Sequence, residues 1–169
     1  MSDRGRLFVA VIPPVGVLDM LETVPREVHP DVRYTTRDQW HVTLRFLGDA
    51  DIDEAVAALD RVVAAPADVS LGPRVERLGR TVAMVPCAGL DAVAAEVRRA
   101  TADMEHPLES RGFVGHLTIA RMKNARRCPA TGFELAATFT ATEVHLVRSH
   151  LAREGARYEV VARRPLTPR

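Results

Sequence analysis

The feature that most constrains this chain is a short pattern that occurs twice, as His-Val-Thr-Leu at residues 41–44 and as His-Leu-Thr-Ile at residues 116–119. Side chains alternate between the two faces of an extended strand, so each copy predicts a strand with one apolar face. The opposite face of each strand carries an imidazole beside a hydroxyl. The fold must therefore bury two apolar faces while leaving two polar faces accessible.

The two polar faces together contain a set of groups suited to phosphoryl chemistry. The imidazoles of His41 and His116 can each give or take a proton near neutral pH. The hydroxyls of Thr43 and Thr118 can donate hydrogen bonds to anionic oxygens. Around one cavity, one His would activate water and the other would protonate a leaving oxygen, while the hydroxyls hold the phosphate. A single His-x-Thr triplet is common and usually structural, and the spacing alone does not assign the two roles.

Composition places the chain among globular proteins. With 169 residues, 47% hydrophobic and 27% charged, it is expected to form a single domain spanning residues 1–169. No apolar run approaches the length of a membrane span and no signal segment opens the chain, so we expect a cytoplasmic protein. Cys87 and Cys128 lie far apart and are expected to be reduced thiols. The net charge of +1 does not indicate a nucleic-acid-binding protein.

Hydrophobic periodicity predicts an α+β fold. Strands are expected at residues 6–12, 32–35, 41–48, 69–71, 75–78, 81–85, 116–122, 138–146 and 158–162. Helices are expected at residues 15–24, 51–65 and 91–104, the second beginning with a capping box formed by Asp51 and Glu54. A turn is expected at Gly48-Asp49. Each half carries one motif strand, which predicts two lobes related by an approximate two-fold axis, each an antiparallel sheet with helices outside and a groove between the lobes.

These motifs resemble those of the 2H phosphoesterases, and specifically the RNA 2′,3′-cyclic phosphodiesterase (2′-5′ RNA ligase) branch. That branch shows His-x-Thr-Leu-x-Phe-Leu-Gly in its first half and His-x-Thr-Leu-x-Arg in its second. Residues 41–48 and 116–121 match these patterns closely, and residues 6–11 and 158–161 extend the similarity. Gly115 departs from the proline that often precedes the second His. We expect this glycine to loosen the chain before the second motif strand without removing a catalytic group.

The resemblance implies hydrolysis of RNA 2′,3′-cyclic phosphate ends to 2′-phosphate ends, with a weak reverse joining of RNA through a 2′-5′ link. It implies His41 as the proton donor to the leaving 3′ oxygen and His116 as the base that activates water. Thr43 and Thr118 would hold the phosphate oxygens. No metal or other cofactor is expected. The implied partner is an RNA end with a cyclic phosphate, or a cyclic nucleotide. The protein is expected to act as a monomer and to have no membrane partner.

Three further residues are candidates for substrate binding. Phe46 and Arg121 each stand five residues after a motif His, and on a regular strand this odd separation would turn them away from it. The resemblance implies the opposite, with Phe46 stacking on a base and Arg121 contacting the phosphate. Tyr34 is a candidate for base stacking, with a half-buried strand aromatic as the alternative.

Other kinds of site find little support in the sequence. His29, His106, His145 and His150 lie outside the motifs and are not expected to be catalytic. No metal-binding pattern or phosphate-binding glycine loop is present. Two alternatives stay open. The chain could be a 2H enzyme acting on another cyclic phosphate or a 2′-5′ linked nucleotide, or a module that binds RNA ends without turnover, although the intact His and Thr pairs disfavour the module.

Overall fold

The computed structural model describes residues 2–124 and 127–168. The strands are β1 Arg4–Val11, β2 Val32–Tyr34, β3 Val42–Asp51, β4 Ala67–Leu71, β5 Glu76–Leu78, β6 Val82–Ala88, β7 His116–Met122, β8 Ala137–Ala141, β9 Glu143–Ala152 and β10 Gly155–Pro165. The α-helices are α1 Val15–Leu21, α2 Ile52–Asp60 and α3 Asp91–Ala100, and a 3₁₀ turn spans Arg37–Gln39.

The sheet has approximate two-fold symmetry about its centre. Its strand order is β10-β9-β1-β3-β7-β6-β4-β8, with β2 added beside β7 and β5 beside β6. The two motif strands, β3 and β7, meet at the antiparallel pair Val42 and Leu117. Four strands of the main path lie on each side of this junction, so β3 corresponds to β7 and β1 to β6. The predicted α+β fold, with two antiparallel lobes, is confirmed.

One hydrophobic core extends through both lobes. It includes Leu7 and Val42 on the first side and Val97 and Leu117 on the second, all fully buried. Helix α3 buries one face through Val93, Ala94, Val97 and Ala100, in keeping with its apolar periodicity. Among the described residues, no helix is long and apolar enough to cross a membrane.

Each motif strand contains a β-bulge at the same place. The pairing of β3 with β1 passes from Thr43 to Arg45 and skips Leu44. The pairing of β7 with β6 passes from Thr118 to Ala120 and skips Ile119. A bulge inserts one extra residue and so shifts the alternation of faces by one. In both strands two consecutive residues are therefore buried, three and four positions after the His.

The bulges decide where Phe46 and Arg121 point. Without them, both side chains would face the core side of the sheet. With them, both return to the face that carries the motif His and Thr, and both line the same groove. The regular-strand prediction that these residues turn away from their histidines is therefore wrong, because the strands are not regular.

Several predicted boundaries differ from the structure, mostly where long strand pairs extend an element beyond its pattern. Gly48 does not end the first motif strand: β3 continues to Asp51, which pairs with Arg4 of β1. The predicted strand 138–146 is two strands, and the predicted strand 158–162 is the longer β10, which pairs with β9 along most of its length. Helices α1, α2 and α3 all end earlier than predicted. The backbone N–H of Glu54 does donate to Asp51, 3.0 Å away, as expected of the α2 cap.

Gly115 packs tightly against the end of β6. The Cys87 backbone N–H donates to the Gly115 carbonyl at 2.9 Å. A Cβ atom at residue 115 would lie 2.4 Å from the Cys87 carbonyl oxygen. Glycine therefore permits a close backbone approach directly before His116, and the expectation that it loosens this segment is wrong.

Gly115→Ala should destabilise the fold, because the added methyl group forces the backbones apart. Overpacking of this kind costs about 1–3 kcal/mol, measurable as a lower midpoint in urea unfolding. Gly112→Ala is the matched control in the same segment, since a Cβ there meets nothing within 4 Å. Equal midpoints for the two variants would contradict the close-approach explanation.

Candidate active site

The polar faces of β3 and β7 form one groove of about 450 Å³ between the lobes. Because the strands are antiparallel about Val42 and Leu117, each motif His lies toward the Thr of the other motif. All seven residues predicted from the sequence line this groove: Tyr34, His41, Thr43, Phe46, His116, Thr118 and Arg121. The structure thus brings together residues separated by more than seventy positions along the chain.

The two histidines are held in the same way. Nδ1 of His41 lies 2.8 Å from the Gln39 carbonyl oxygen, and Nδ1 of His116 lies 2.8 Å from the Val114 carbonyl oxygen. A carbonyl oxygen can only accept, so Nδ1 carries the proton in both rings. In each case the acceptor is two residues before the His. Nε2 is therefore the nitrogen left for proton transfer in both histidines.

The hydroxyl of Thr43 is already paired with one of these nitrogens. Thr43 Oγ1 lies 2.9 Å from His41 Nε2. When the imidazole is neutral, Nε2 has a lone pair, so the hydroxyl donates to it. Protonation of His41 at Nε2 reverses this bond, and frees the Thr43 hydroxyl to donate to another acceptor. The state of His41 and the availability of the Thr43 proton are thus linked.

His41 is enclosed by two aromatic rings. Its ring centroid lies 4.7 Å from that of Phe8 and 5.3 Å from that of Tyr158. Burial lowers the pKa of His41 to about 4, against the opposing effect of the Gln39 hydrogen bond, and the positive charges of Arg121 and His116 lower it further. His41 is therefore neutral at pH 7 in the free protein.

The groove is more positively charged than the chain as a whole. Arg6, Arg33 and Arg121 line it, and no carboxylate is among the described residues of that lining. The Arg6 guanidinium lies 5.0 Å from the Phe46 ring centroid, so this ring packs beneath a cation. Such a cleft attracts anionic ligands, which a net charge of +1 does not predict.

Aromatic side chains give the groove flat apolar surfaces. The Tyr34 hydroxyl donates to the Glu27 carbonyl at 2.8 Å, which fixes the ring in the wall. Burial raises the pKa of Tyr34 to about 12, so it stays an uncharged phenol. Phe46 packs edge-on against His106 at 5.3 Å between ring centroids. Both rings are partly buried and line the groove.

Sequence reasoning missed several residues of the groove, among them Arg6, Phe8, Gln39 and Tyr158. Arg6 and Phe8 were detectable, because they are two positions apart on β1 and so share a face. The nearly continuous apolar run around Phe8 hid that alternation. Gln39 has no comparable signal, and Tyr158 has only the resemblance of residues 158–161, since their place in the groove depends on contacts with distant parts of the chain.

The remaining histidines have local partners instead. His145 and His150 lie 3.0 Å and 3.1 Å from Glu143 and Glu159 respectively. His29 accepts a hydrogen bond from the backbone N–H two residues later. Within residues 2–124 and 127–168, no three His, Cys, Asp or Glu side chains are grouped so that they could hold a metal ion.

Comparisons with known proteins agree with this arrangement. The family model described as the 2′-5′ RNA ligase superfamily matches residues 22–153. A crystal structure described as a phosphoesterase is similar at 26% identity and a TM-score of 0.80, over 98% of this chain and 100% of that one. The crystal structure of E. coli LigT complexed with 3′-AMP is similar at 25% identity and a TM-score of 0.78, over 98% of this chain and 100% of that one. The crystal structure of a Thermus thermophilus protein is similar at 25% identity and a TM-score of 0.77, over 95% of this chain and 97% of that one. No curated protein sequence matches the chain.

Removing the Tyr158 ring should raise the pKa of His41. In Tyr158→Ala, water replaces one of the two rings, so the pKa should move from about 4 toward the ordinary value of about 6.5. NMR titration of the His41 ring protons measures the shift. Phe46→Ala is the control, because Phe46 lines the same groove but packs against His106. An unchanged pKa in Tyr158→Ala would rule out the ring as a cause of the shift.

Proposed function

The chain belongs to the 2′-5′ RNA ligase superfamily, and from this membership and the geometry of the groove we propose that it hydrolyses RNA 2′,3′-cyclic phosphate ends to 2′-phosphate ends. Weak joining of RNA through a 2′-5′ link, the reverse of cleavage at such a link, would follow when a 5′ hydroxyl attacks phosphorus in place of water and the 3′ oxygen leaves. The observation that carries the proposal is the paired arrangement of His41 and His116, each with its Nδ1 proton held by a backbone carbonyl.

In the proposed reaction, Nε2 of neutral His116 takes a proton from water, and the water oxygen forms a bond to phosphorus. The bond from phosphorus to the 3′ oxygen breaks, and His41 gives its Nε2 proton to that oxygen. The phosphate remains on the 2′ oxygen. Thr43 and Thr118 donate to the non-bridging oxygens, and Arg121 offsets their negative charge. Phe46 and Tyr34 would stack on the terminal base.

The burial of His41 means that this residue can act as the proton donor only if its pKa rises when substrate binds. A proton donor must be protonated when the reaction begins, whereas His41 in the free protein has a pKa of about 4. An anionic phosphate in the groove favours the imidazolium and offsets the positive charge of Arg121. We therefore propose that substrate binding raises the pKa of His41 and so supplies the proton with the substrate. Protonation also releases the Thr43 hydroxyl toward the phosphate.

We propose that the protein works as a metal-independent monomer. Two histidines account for both proton transfers, and one chain supplies both halves of the groove. A cytoplasmic location is proposed on the two cysteines, Cys87 and Cys128, which are both free thiols.

His41→Ala and His116→Ala should each lower kcat/KM on a cyclic-phosphate-ended oligonucleotide by about two or more orders of magnitude, the usual contribution of general acid–base catalysis. Thr43→Ala and Thr118→Ala should lower kcat/KM by a smaller factor, because a neighbouring donor still contacts the phosphate. Wild-type rates are measured with and without EDTA and should be equal, since the proposed chemistry requires no metal ion.

His150→Ala is the matched control. His150 lies between Ser149 and Leu151, which line the groove, and itself points away. Circular dichroism checks that every variant is folded. A folded His41→Ala with a near-normal rate, or full dependence on a divalent ion, would refute the proposal.

Leaving-group chemistry tests the division of roles. An aryl phosphodiester releases a stable phenolate that needs little protonation. It should therefore restore the rate of His41→Ala, which lacks the proton donor, more than that of His116→Ala, which lacks the base. The measurement is the ratio of variant to wild-type rates on the aryl and natural substrates. Preferential rescue of His116→Ala would reverse the two roles.

A further inference from the structure

A second cavity adjoins the catalytic groove. Its volume is about 370 Å³, and it shares Thr43, Phe46 and His116 with the groove. One wall is the turn between β5 and β6, residues 78–81, and the other is the segment before β7, residues 109–114. A phosphate held by the two motifs would therefore lie where the two spaces meet.

The second cavity is also strongly basic. Its lining contains four arginines, Arg45, Arg80, Arg98 and Arg111, against one carboxylate, Glu109, among the described residues. Arg80 and Arg111 are exposed and belong to opposite walls. In the part of the chain that the structure describes, the ion pairs include neither of these two residues.

The other two arginines hold the wall that precedes His116. Buried Arg45 donates to the His106 carbonyl at 2.7 Å and to the Pro107 carbonyl at 3.2 Å. Arg98 donates to the Glu109 carbonyl at 2.9 Å and to the Arg111 carbonyl at 3.4 Å. These four hydrogen bonds hold the backbone of the segment at residues 106, 107, 109 and 111. The guanidinium groups of Arg45 and Arg98 thus donate to backbone oxygens. Those of Arg80 and Arg111 are the ones exposed to a ligand.

On the premise of the proposed function, we propose that this second cavity binds the RNA strand itself. Arg80 and Arg111 would hold the phosphodiester on the 5′ side of the terminal nucleotide. A 2′,3′-cyclic phosphate uses both secondary oxygens of its ribose, so the strand can leave only through the 5′ oxygen. The terminal nucleoside would lie in the aromatic groove beside Tyr34 and Phe46, and the strand would continue from the ribose 5′ oxygen into the second cavity.

The side chains of the second cavity suit this ligand. Guanidinium groups bind phosphate oxygens through paired hydrogen bonds. Phe113 also lines the space and offers a face on which the next base can stack. The substrate class that follows is a single-stranded RNA end of two or more nucleotides, in preference to a cyclic mononucleotide.

The test compares kcat/KM for cytidine 2′,3′-cyclic phosphate with kcat/KM for a dinucleotide that ends in the same cyclic nucleotide. Wild type should prefer the dinucleotide. Arg80→Gln and Arg111→Gln should each lower the ratio of dinucleotide to mononucleotide kcat/KM by about three- to tenfold, the contribution of one partly solvated charged hydrogen bond. Glu109→Gln should raise the ratio, because it removes a repelling charge.

Arg74→Gln is the matched control, since Arg74 is exposed and lines neither the groove nor the second cavity. It should leave the ratio unchanged. Salt dependence gives a second readout. Each lost phosphate contact should reduce the slope of log kcat/KM for the dinucleotide against log salt concentration by about 0.7.

The outcomes separate this inference from the proposed function. If wild type turns over neither substrate, the proposed function fails. If wild type turns over the mononucleotide but Arg80→Gln and Arg111→Gln leave the ratio unchanged, the function stands and the strand-binding inference is overturned. An equal loss on both substrates would also overturn it, since these arginines would then act only by supporting the segment before His116.

Discussion

The site depends on one pair of residues, Val42 and Leu117, where the two lobes join. Both side chains are fully buried, and each follows a motif histidine. Because strand faces alternate, burying these two residues turns both histidines to the opposite face. A slip of one residue in either strand would place an imidazole in the core, at the cost of burying a polar group. The packing of the junction therefore fixes the register that places both motif histidines in the groove.

Near-symmetry of the fold does not give the two histidines equal surroundings. Their Nδ1 atoms are held alike, but His41 lies between the rings of Phe8 and Tyr158, whereas His116 stands at the mouth of the second, arginine-lined cavity. Acid–base catalysis by two similar groups needs environments that favour different protonation states. In the free protein, enclosure by two aromatic rings favours neutral His41, so the proposed donor role depends on the bound phosphate, which favours the protonated ring.

The sequence predicts the parts of this structure that follow from local alternation. The two motif strands, the α+β class and the seven groove residues all came from patterns of period two or from the family resemblance. The bulges did not, because a bulge exists only relative to a partner strand, and β1 and β6 are distant in sequence. The same reason hid Tyr158, which reaches His41 from the last hairpin, and the contact between Gly115 and Cys87.

The paired bulges have a consequence for how such a protein can change. Each adds a residue to a motif strand and none to its neighbour, so the extra length is taken up as added bend and twist of the backbone. The curvature of both lobes near the junction is thus built into the main chain and does not rest on the bulk of the side chains that line the groove. Substitutions among the lining residues should therefore leave the separation of the two motif imidazoles largely unchanged, because that separation is set by the path of the main chain.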